Sequence, residues 1–383
     1  MATRRKVLRI ENFGPIRKVE VPFADITVLV GPQATGKSLV LQWLKLAVER
    51  VQIPNNLAGQ GFVVWNDPRA LAGRFFGRDY ADSVTEETSV TFAGSPVELK
   101  RIAKKAARRD LTGVLFIPAH RALVMSTGWP LLFREHGDDT PYVVREFSES
   151  IWAALHTGSE EPVLSSVLGF PRELWRKLDD AVFHAGRVSV ARDQLGKLQL
   201  KLIHDRRVRL STMEWTTGQR EVFPLLVGLT QVLPIDKPNW ASERTEWVVV
   251  EEPELGLHPD GILAVMCLLL EVARRGHRIV LSTHSPLVLD VLWSMQQLRG
   301  KPRADRKLLQ ILGVEDTHAM RVYAQEILRK DQSIMYLSFE GGAKVHSRDI
   351  SNLDPGSPEK AEAQWGGLLG HSTRIADVVA GAS

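Results

Sequence analysis

Gly31-Pro32-Gln33-Ala34-Thr35-Gly36-Lys37-Ser38 fits the phosphate-binding pattern G-x-x-x-x-G-K-[ST]. Such a loop holds phosphate oxygens with backbone N–H groups, and the dipole of a helix that follows it favours negative charge. Gly31 and Gly36 admit backbone angles and a close approach that a side chain would block. Lys37 is expected to reach the β- and γ-phosphates, and the Ser38 hydroxyl to ligate Mg²⁺. The expected nucleotide-binding residues are therefore Gly31, Pro32, Gln33, Ala34, Thr35, Gly36, Lys37, Ser38 and Leu39.

A second stretch carries acid–base chemistry. Trp247-Val248-Val249-Val250-Glu251-Glu252-Pro253-Glu254 ends an apolar run in carboxylates. Hydrolysis of a bound triphosphate needs one carboxylate to support Mg²⁺ and another to orient and deprotonate the attacking water. Glu251 is assigned the first role and Glu252 the second. Ser282-Thr283-His284-Ser285-Pro286 then places a histidine just past another apolar run, where it could bond the γ-phosphate and the water. A fourth stretch, Trp215-Thr216-Thr217-Gly218-Gln219, opens a helix with a hydroxyl and a glycine and makes a second anion site. One subunit does not need two such helix ends for one triphosphate. A head-to-tail dimer does: each nucleotide would lie between the phosphate loop of one subunit and this helix of the other.

In this order the four motifs resemble the ABC class of P-loop ATPases, and more closely the soluble branch shared by SMC-like, RecF-like and OLD-like proteins. Ile10-Glu11-Asn12-Phe13-Gly14-Pro15-Ile16 resembles that branch's opening strand. Glu251 to Pro259 resembles its Walker B segment running into the D-loop, and Leu281 to Pro286 its switch-histidine segment. The resemblance covers about half the chain. It implies ATP and Mg²⁺ as cofactors, with Lys37, Glu252 and His284 catalytic and Ser38 and Glu251 at the metal. It also implies that Thr216, Thr217, Gly218 and Gln219 are a signature contacting nucleotide in trans. Three departures stand out. Glu251 occupies a position where Asp is commoner, Thr216-Thr217 replaces Ser-Gly or Ser-Ser, and no Q-loop glutamine is placed, Gln52 and Gln60 being the candidates.

Gly31 to Ser38 and Ile117-Pro118-Ala119-His120-Arg121 also resemble the stand-alone ATPase subunits of bacterial anti-phage systems, the PARIS type among them. That type holds a TOPRIM-like nuclease until a phage trigger arrives. The implied function is an ATPase working at a composite homodimer site, in a dimer or a higher oligomer, that gates a separate effector of which such a nuclease is the implied kind. The alternative is a repair or maintenance ATPase of the SMC/RecF type that clamps DNA directly. A transporter ATPase fits less well, because the spacing from Gly31 to Glu251 exceeds what a transporter cassette needs. A nuclease in the same chain is not expected. Phe339-Glu340-Gly341-Gly342 is followed by Asp349 and Asp354 with no D-x-D pair.

These residues need a strand-and-helix scaffold to position them. Ile26 to Val30, Trp247 to Val250 and Arg278 to Ser282 read as buried strands, each followed by a helix candidate. That alternation is the parallel α/β signature. Lys6 to Phe13 and Val19 to Phe23 alternate apolar and polar residues and add antiparallel strands. The expected fold is therefore α/β: an ABC-type P-loop ATPase with a mixed central sheet flanked by helices, plus an inserted, mainly helical subdomain. Expected boundaries are 1–54 (N-lobe), 55–210 (insertion), 211–345 (C-lobe) and 346–383 (tail). Pro118, Pro130, Pro141, Pro162 and Pro171 break any long coiled coil in the insertion.

The chain has 383 residues, 44% of them hydrophobic and 25% charged, with a net charge of +4. That composition is ordinary for a globular protein. The single cysteine, Cys267, excludes disulfides and cysteine-rich metal sites and suits a cytoplasmic setting. No apolar run approaches the ~20 residues that cross a bilayer, so no membrane partner is expected. The run from Lys100 to Arg109 is dense in Lys and Arg. It reads first as a solvated edge and second as a DNA contact.

Overall fold

The computed structural model describes residues 5–381, apart from 63, 65, 104–112, 120, 126–127, 157–168, 193, 195, 205–207 and 234–244. The strands in chain order are β1 (Val7–Phe13), β2 (Ile16–Pro22), β3 (Ile26–Val30), β4 (Ser89–Phe92), β5 (Ser95–Pro96), β6 (Gly113–Ile117), β7 (Arg187–Arg192), β8 (Leu198–His204), β9 (Val208–Ser211), β10 (Thr245–Glu251), β11 (Arg278–Ser282), β12 (Gln332–Glu340) and β13 (Lys344–Asp349). Ten of them form one mixed sheet in the order β5-β4-β1-β2-β13-β12-β3-β11-β10-β6, and β7-β8-β9 form a small antiparallel sheet. Strands β12, β3, β11, β10 and β6 run parallel to one another, while β12 pairs antiparallel with β13. The β1–β2 and β1–β4 pairs are antiparallel. The α/β fold with a mixed, helix-flanked sheet is as expected.

The middles of the parallel strands are mostly apolar because both faces are covered. Val28, Val30, Val248, Val250 and Leu281 point into one core. Leu29, Trp247, Val249 and Val280 point into the other. Thr27 is fully buried in β3 and satisfies its hydroxyl by accepting from the Ala24 N–H at 3.0 Å. Helices α1 (Lys37–Val48), α2 (Gln52–Gly59), α3 (Pro68–Phe76) and the short α4 (Leu99–Ile102) contribute to the second core. α3 starts as its sequence suggests: Pro68 takes the first turn and the Asp67 carboxylate accepts from the Arg69 and Ala70 N–H groups. Helix α5 (Tyr142–His156) sits at the β6 side and feeds both cores. α6 (Arg172–Leu178), α7 (Thr217–Leu229), α8 (Pro259–Arg274), α9 (Pro286–Leu298), α10 (Ala304–Leu312) and α11 (His318–Ile327) fill the first core.

Within residues 55–210, β4 and β5 extend the main sheet beyond β1 and β6 pairs with β10, while β7, β8 and β9 form their own sheet. Val114, Leu115, Phe116 and Ile117 of β6 are buried on both faces, which is what draws the segment into the sheet. Residues 346–383 are not simply a tail. β13 lies inside the sheet between β2 and β12, and Trp365 is buried with its indole N–H donating to Leu353 O at 3.3 Å. After it, the brief α12 (Lys360–Ala363) and the exposed α13 (Gly370–Gly381) end the chain. α7 begins at Thr217, so Pro224 falls in the helix interior. Val222, Phe223, Leu225 and Leu226 around it are fully buried. At about 1.5–3 kcal/mol each, they outweigh the roughly 3 kcal/mol an interior proline costs.

Candidate functional site

Adjacent parallel strands β3, β11, β10 and β6 bring their C-terminal ends to one edge of the sheet. The phosphate loop follows β3, His284 follows β11, Glu251 and Glu252 close β10, and Arg121 follows β6. This edge is where open α/β sheets bind ligands.

The loop is tightly built. Gly31 has φ 146°, and a Cβ there would lie 2.1 Å from the Leu337 carbonyl oxygen, so no side chain fits. Gly36 caps α1 in the left-handed region at φ 77°. Thr35 is fully buried, its hydroxyl donating to Pro32 O at 2.8 Å, whereas Pro32, Gln33, Ala34 and Ser38 are exposed. Leu39 is buried in the first turn of α1. The Lys37 ammonium folds over the loop and donates to Gly31 O at 2.9 Å and Pro32 O at 2.8 Å. Burial pulls its pKa down to about 8, against the opposing pull of Glu252 and Glu254.

At the carboxylate end, Glu252 adopts φ 44°, a conformation that costs a non-glycine residue about 1–3 kcal/mol. Its N–H donates to Ser282 O at 2.9 Å, and its Oε1 lies 3.7 Å from His284 Nε2. Burial, then Lys37, lowers the His284 pKa below the usual histidine value, so the imidazole is neutral at pH 7. Glu254 was not assigned from the sequence. Its Oε1 accepts from the Thr283 hydroxyl at 2.8 Å and the His284 N–H at 2.6 Å, which ties the carboxylate turn to the histidine segment. The only hint was a third acid in Glu251-Glu252-Pro253-Glu254.

Arg121 is the second residue missed as a site component. Its guanidinium donates to Glu251 O, Glu252 O, Glu221 O and Pro118 O, directly under the carboxylate turn. His120, beside it, lies outside the described residues.

Of the expected signature, Thr216 and Thr217 are exposed at the start of α7, but Gly218 and Gln219 are buried. Thr216 Oγ1 accepts from the Gln219 N–H at 3.3 Å, while Gln219 Oε1 accepts from the Thr216 N–H at 3.1 Å. The amide of Gln219 also donates to Val182 O at 3.0 Å. Its side chain therefore caps the helix within the chain. Gly218 packs against the turn after Glu254: a Cβ there would come within 3.1 Å of Gly256 O. The Q-loop stays unplaced. α1 carries the chain about 18 Å from the phosphate loop before Gln52 is reached, and Gln60 bonds Glu149.

A P-loop site implies Mg²⁺. Glu251 is nearly buried, its Oε2 accepting from the Ala119 N–H at 3.1 Å. Together with the Ser38 hydroxyl it offers hard oxygen donors. Mg²⁺ takes only one or two protein ligands beside phosphates and waters, so this donor set fits. Among the described residues no cluster of His, Cys, Asp and Glu could hold a metal by itself.

Residues 135–290 match a family model described as "AAA domain, putative AbiEii toxin, Type IV TA system". The match includes α7, the β10 carboxylates and His284, and begins after the phosphate loop. The matched span is less than half of the chain. No curated protein matches the chain. Among solved structures, the SMC head domain from Thermotoga maritima is 12% identical with a TM-score of 0.39, over 91% of this chain and 99% of that one. An SmcHead bound to the C-winged helix domain of ScpA is 11% identical with a TM-score of 0.41, over 91% and 97%. The cbiO1 protein from Clostridium perfringens, part of the ABC transporter complex cbiONQ, is 12% identical with a TM-score of 0.31, over 73% and 79%. No helix of the described residues is long and apolar enough to cross a membrane.

Proposed function

We propose that this protein binds and hydrolyses ATP at a composite site between two copies of itself, and that the cycle gates a separate effector. The observation that carries the hydrolytic reading is the pairing of Glu252 with His284 at 3.7 Å, beside Lys37 in its glycine loop. In this reading the protonated Lys37 and the loop N–H groups bind the β- and γ-phosphates. Ser38 and Glu251 would hold Mg²⁺, which when bound neutralises phosphate charge. Glu252 takes the proton from the attacking water. The neutral His284 bonds the γ-phosphate and the water, and Glu254 holds the histidine segment. Thr216, Thr217 and the first N–H groups of α7 face the nucleotide of the partner subunit.

Glu252→Gln tests this. The variant should bind MgATP, turn over at least about a hundredfold more slowly, and accumulate as the dimer in sedimentation. Hydrolysis at the wild-type rate would remove Glu252 from the role of base.

The effector reading rests on the likeness of the phosphate loop and the β6 segment to anti-phage ATPase subunits. The toxin–antitoxin wording of the matched model agrees with it. A pull-down of Glu252→Gln with MgATP from the native host should yield a second protein in stoichiometric amount, a nuclease being the expected kind. Direct DNA binding is a second reading. It is favoured by a groove lined by Arg299, Lys301, Arg303 and Arg329 at the opposite edge of the sheet. Recovery of DNA alone, lost at moderate salt, would favour that reading instead.

A further inference from the structure

Arg121 has no solvent exposure, and a buried guanidinium needs complete pairing. It donates four hydrogen bonds to three segments. Nε donates to Glu221 O at 2.9 Å, and the Glu221 carboxylate lies 3.4 Å away. Nη1 donates to Glu251 O at 2.8 Å and Pro118 O at 3.3 Å. Nη2 donates to Glu252 O at 3.0 Å. The carbonyls on both sides of the Glu252 N–Cα unit are thus held by one rigid fork. Glu252 is the residue in the left-handed conformation, at φ 44°. On its other side the Glu252 N–H donates to Ser282 O, the Leu255 N–H donates to Glu252 O, and Glu254 ties the turn to Thr283 and His284. Glu221 belongs to α7, one turn past Gly218, which itself packs on the Gly256 turn.

We infer that Arg121 is a positioning residue: it fixes the left-handed turn that aims Glu252 and joins that turn rigidly to the helix bearing Thr216 and Thr217. The inference rests on Glu252 acting as the base. Arginine is required because its planar fork donates to several carbonyls at once, whereas an ammonium is a point donor. In a head-to-tail dimer the same fork links the base of one nucleotide site to the helix that faces the other. Arg121 touches no nucleotide itself, since all its partners are protein groups beneath the site.

The test is steady-state ATPase kinetics with nucleotide titration for Arg121→Met and Arg121→Lys, alongside Glu252→Gln. Misplacing a base by an ångström costs on the order of a hundredfold. The kcat of Arg121→Met should therefore fall by about that factor while nucleotide affinity stays within about twofold. Arg121→Lys keeps the buried charge but cannot span the Glu251 and Glu252 carbonyls, so it should also lose kcat selectively. It carries the test should the methionine variant fail to fold. In the Glu252→Gln background, Arg121→Lys should cause no further loss in single-turnover rate, because both changes remove the same step. Equal losses of kcat and affinity, or additive losses in the double variant, would overturn the positioning role. Wild-type turnover in Arg121→Lys beside an inactive Glu252→Gln would sink this inference alone. Wild-type turnover in Glu252→Gln would sink the base assignment first.

Discussion

Lys37 sets a pH dependence that can be worked out at the level of one residue. Burial lowers its pKa to about 8 in the free protein. Triphosphate binding favours the charged ammonium and raises that pKa again. Below pH 8 the side chain is already protonated, so affinity should be flat. Above pH 8 binding must take up a proton, so affinity should fall by at most about tenfold per pH unit. Calorimetric titration with MgATP between pH 6.5 and 9.5 measures this; a flat affinity through pH 9.5 would contradict it. Lys37→Ala should abolish binding across the whole range. His284 carries the opposite requirement. The proposed role needs the neutral imidazole, and because its pKa is lowered, acidification must go below the usual histidine range before it charges.

The elements that hold the site are stapled by groups away from it. Lys45, in the second half of α1, is buried with its ammonium 2.7 Å from both Glu49 and Glu146 and donating to Val114 O at 2.9 Å. Glu49 accepts in turn from the Val114 N–H at 2.6 Å. The cluster joins the helix of the phosphate loop to β6 and α5. Removing one partner of a buried ion pair costs about 3–5 kcal/mol, because the other charge is left uncompensated. Lys45→Met should lower unfolding stability by that amount in urea, a far larger effect than loss of the exposed Arg9–Glu20 pair would have. A loss below about 1 kcal/mol would place this cluster with surface pairs. Among the strands, β13 escaped notice because only Val345 and Ile350 near it are apolar and buried, while its other residues are polar. It is held by backbone pairing to β2 and β12, and that pairing has no side-chain signature.

At the scale of the whole molecule, the proposed composite site brings the exposed Thr216 and Thr217 of one chain to the phosphate loop of another. Mixing variants tests that directly. Lys37→Ala has no working phosphate loop, and Thr217→Arg has a blocked helix end. Each alone should be inactive. An equimolar mixture should regain ATPase activity, because a mixed dimer rebuilds one complete site from the intact halves. An inactive mixture of two folded variants would argue against a composite site. The run from Lys100 to Arg109, read first as a solvated edge, lies largely outside the described residues.

The chemistry-bearing residues were legible in the sequence because each follows a strand whose burial on both faces forces a continuous apolar run. Lys37, Glu251, Glu252 and His284 are marked by what precedes them. The order of those runs also made a parallel sheet readable before any contact was known. Tertiary structure alone decided what has no local period. It threaded β6 beside β10 and so carried Arg121 under the Glu252 turn, more than a hundred residues away in the chain. It turned Gln219 inward, where its side chain accepts from the Thr216 N–H and donates to Val182 O. It joined Glu254 to His284 and enclosed Lys45 between two carboxylates. Local spacing records which face a residue occupies; which distant partner waits on that face depends on how the strands are ordered in the sheet.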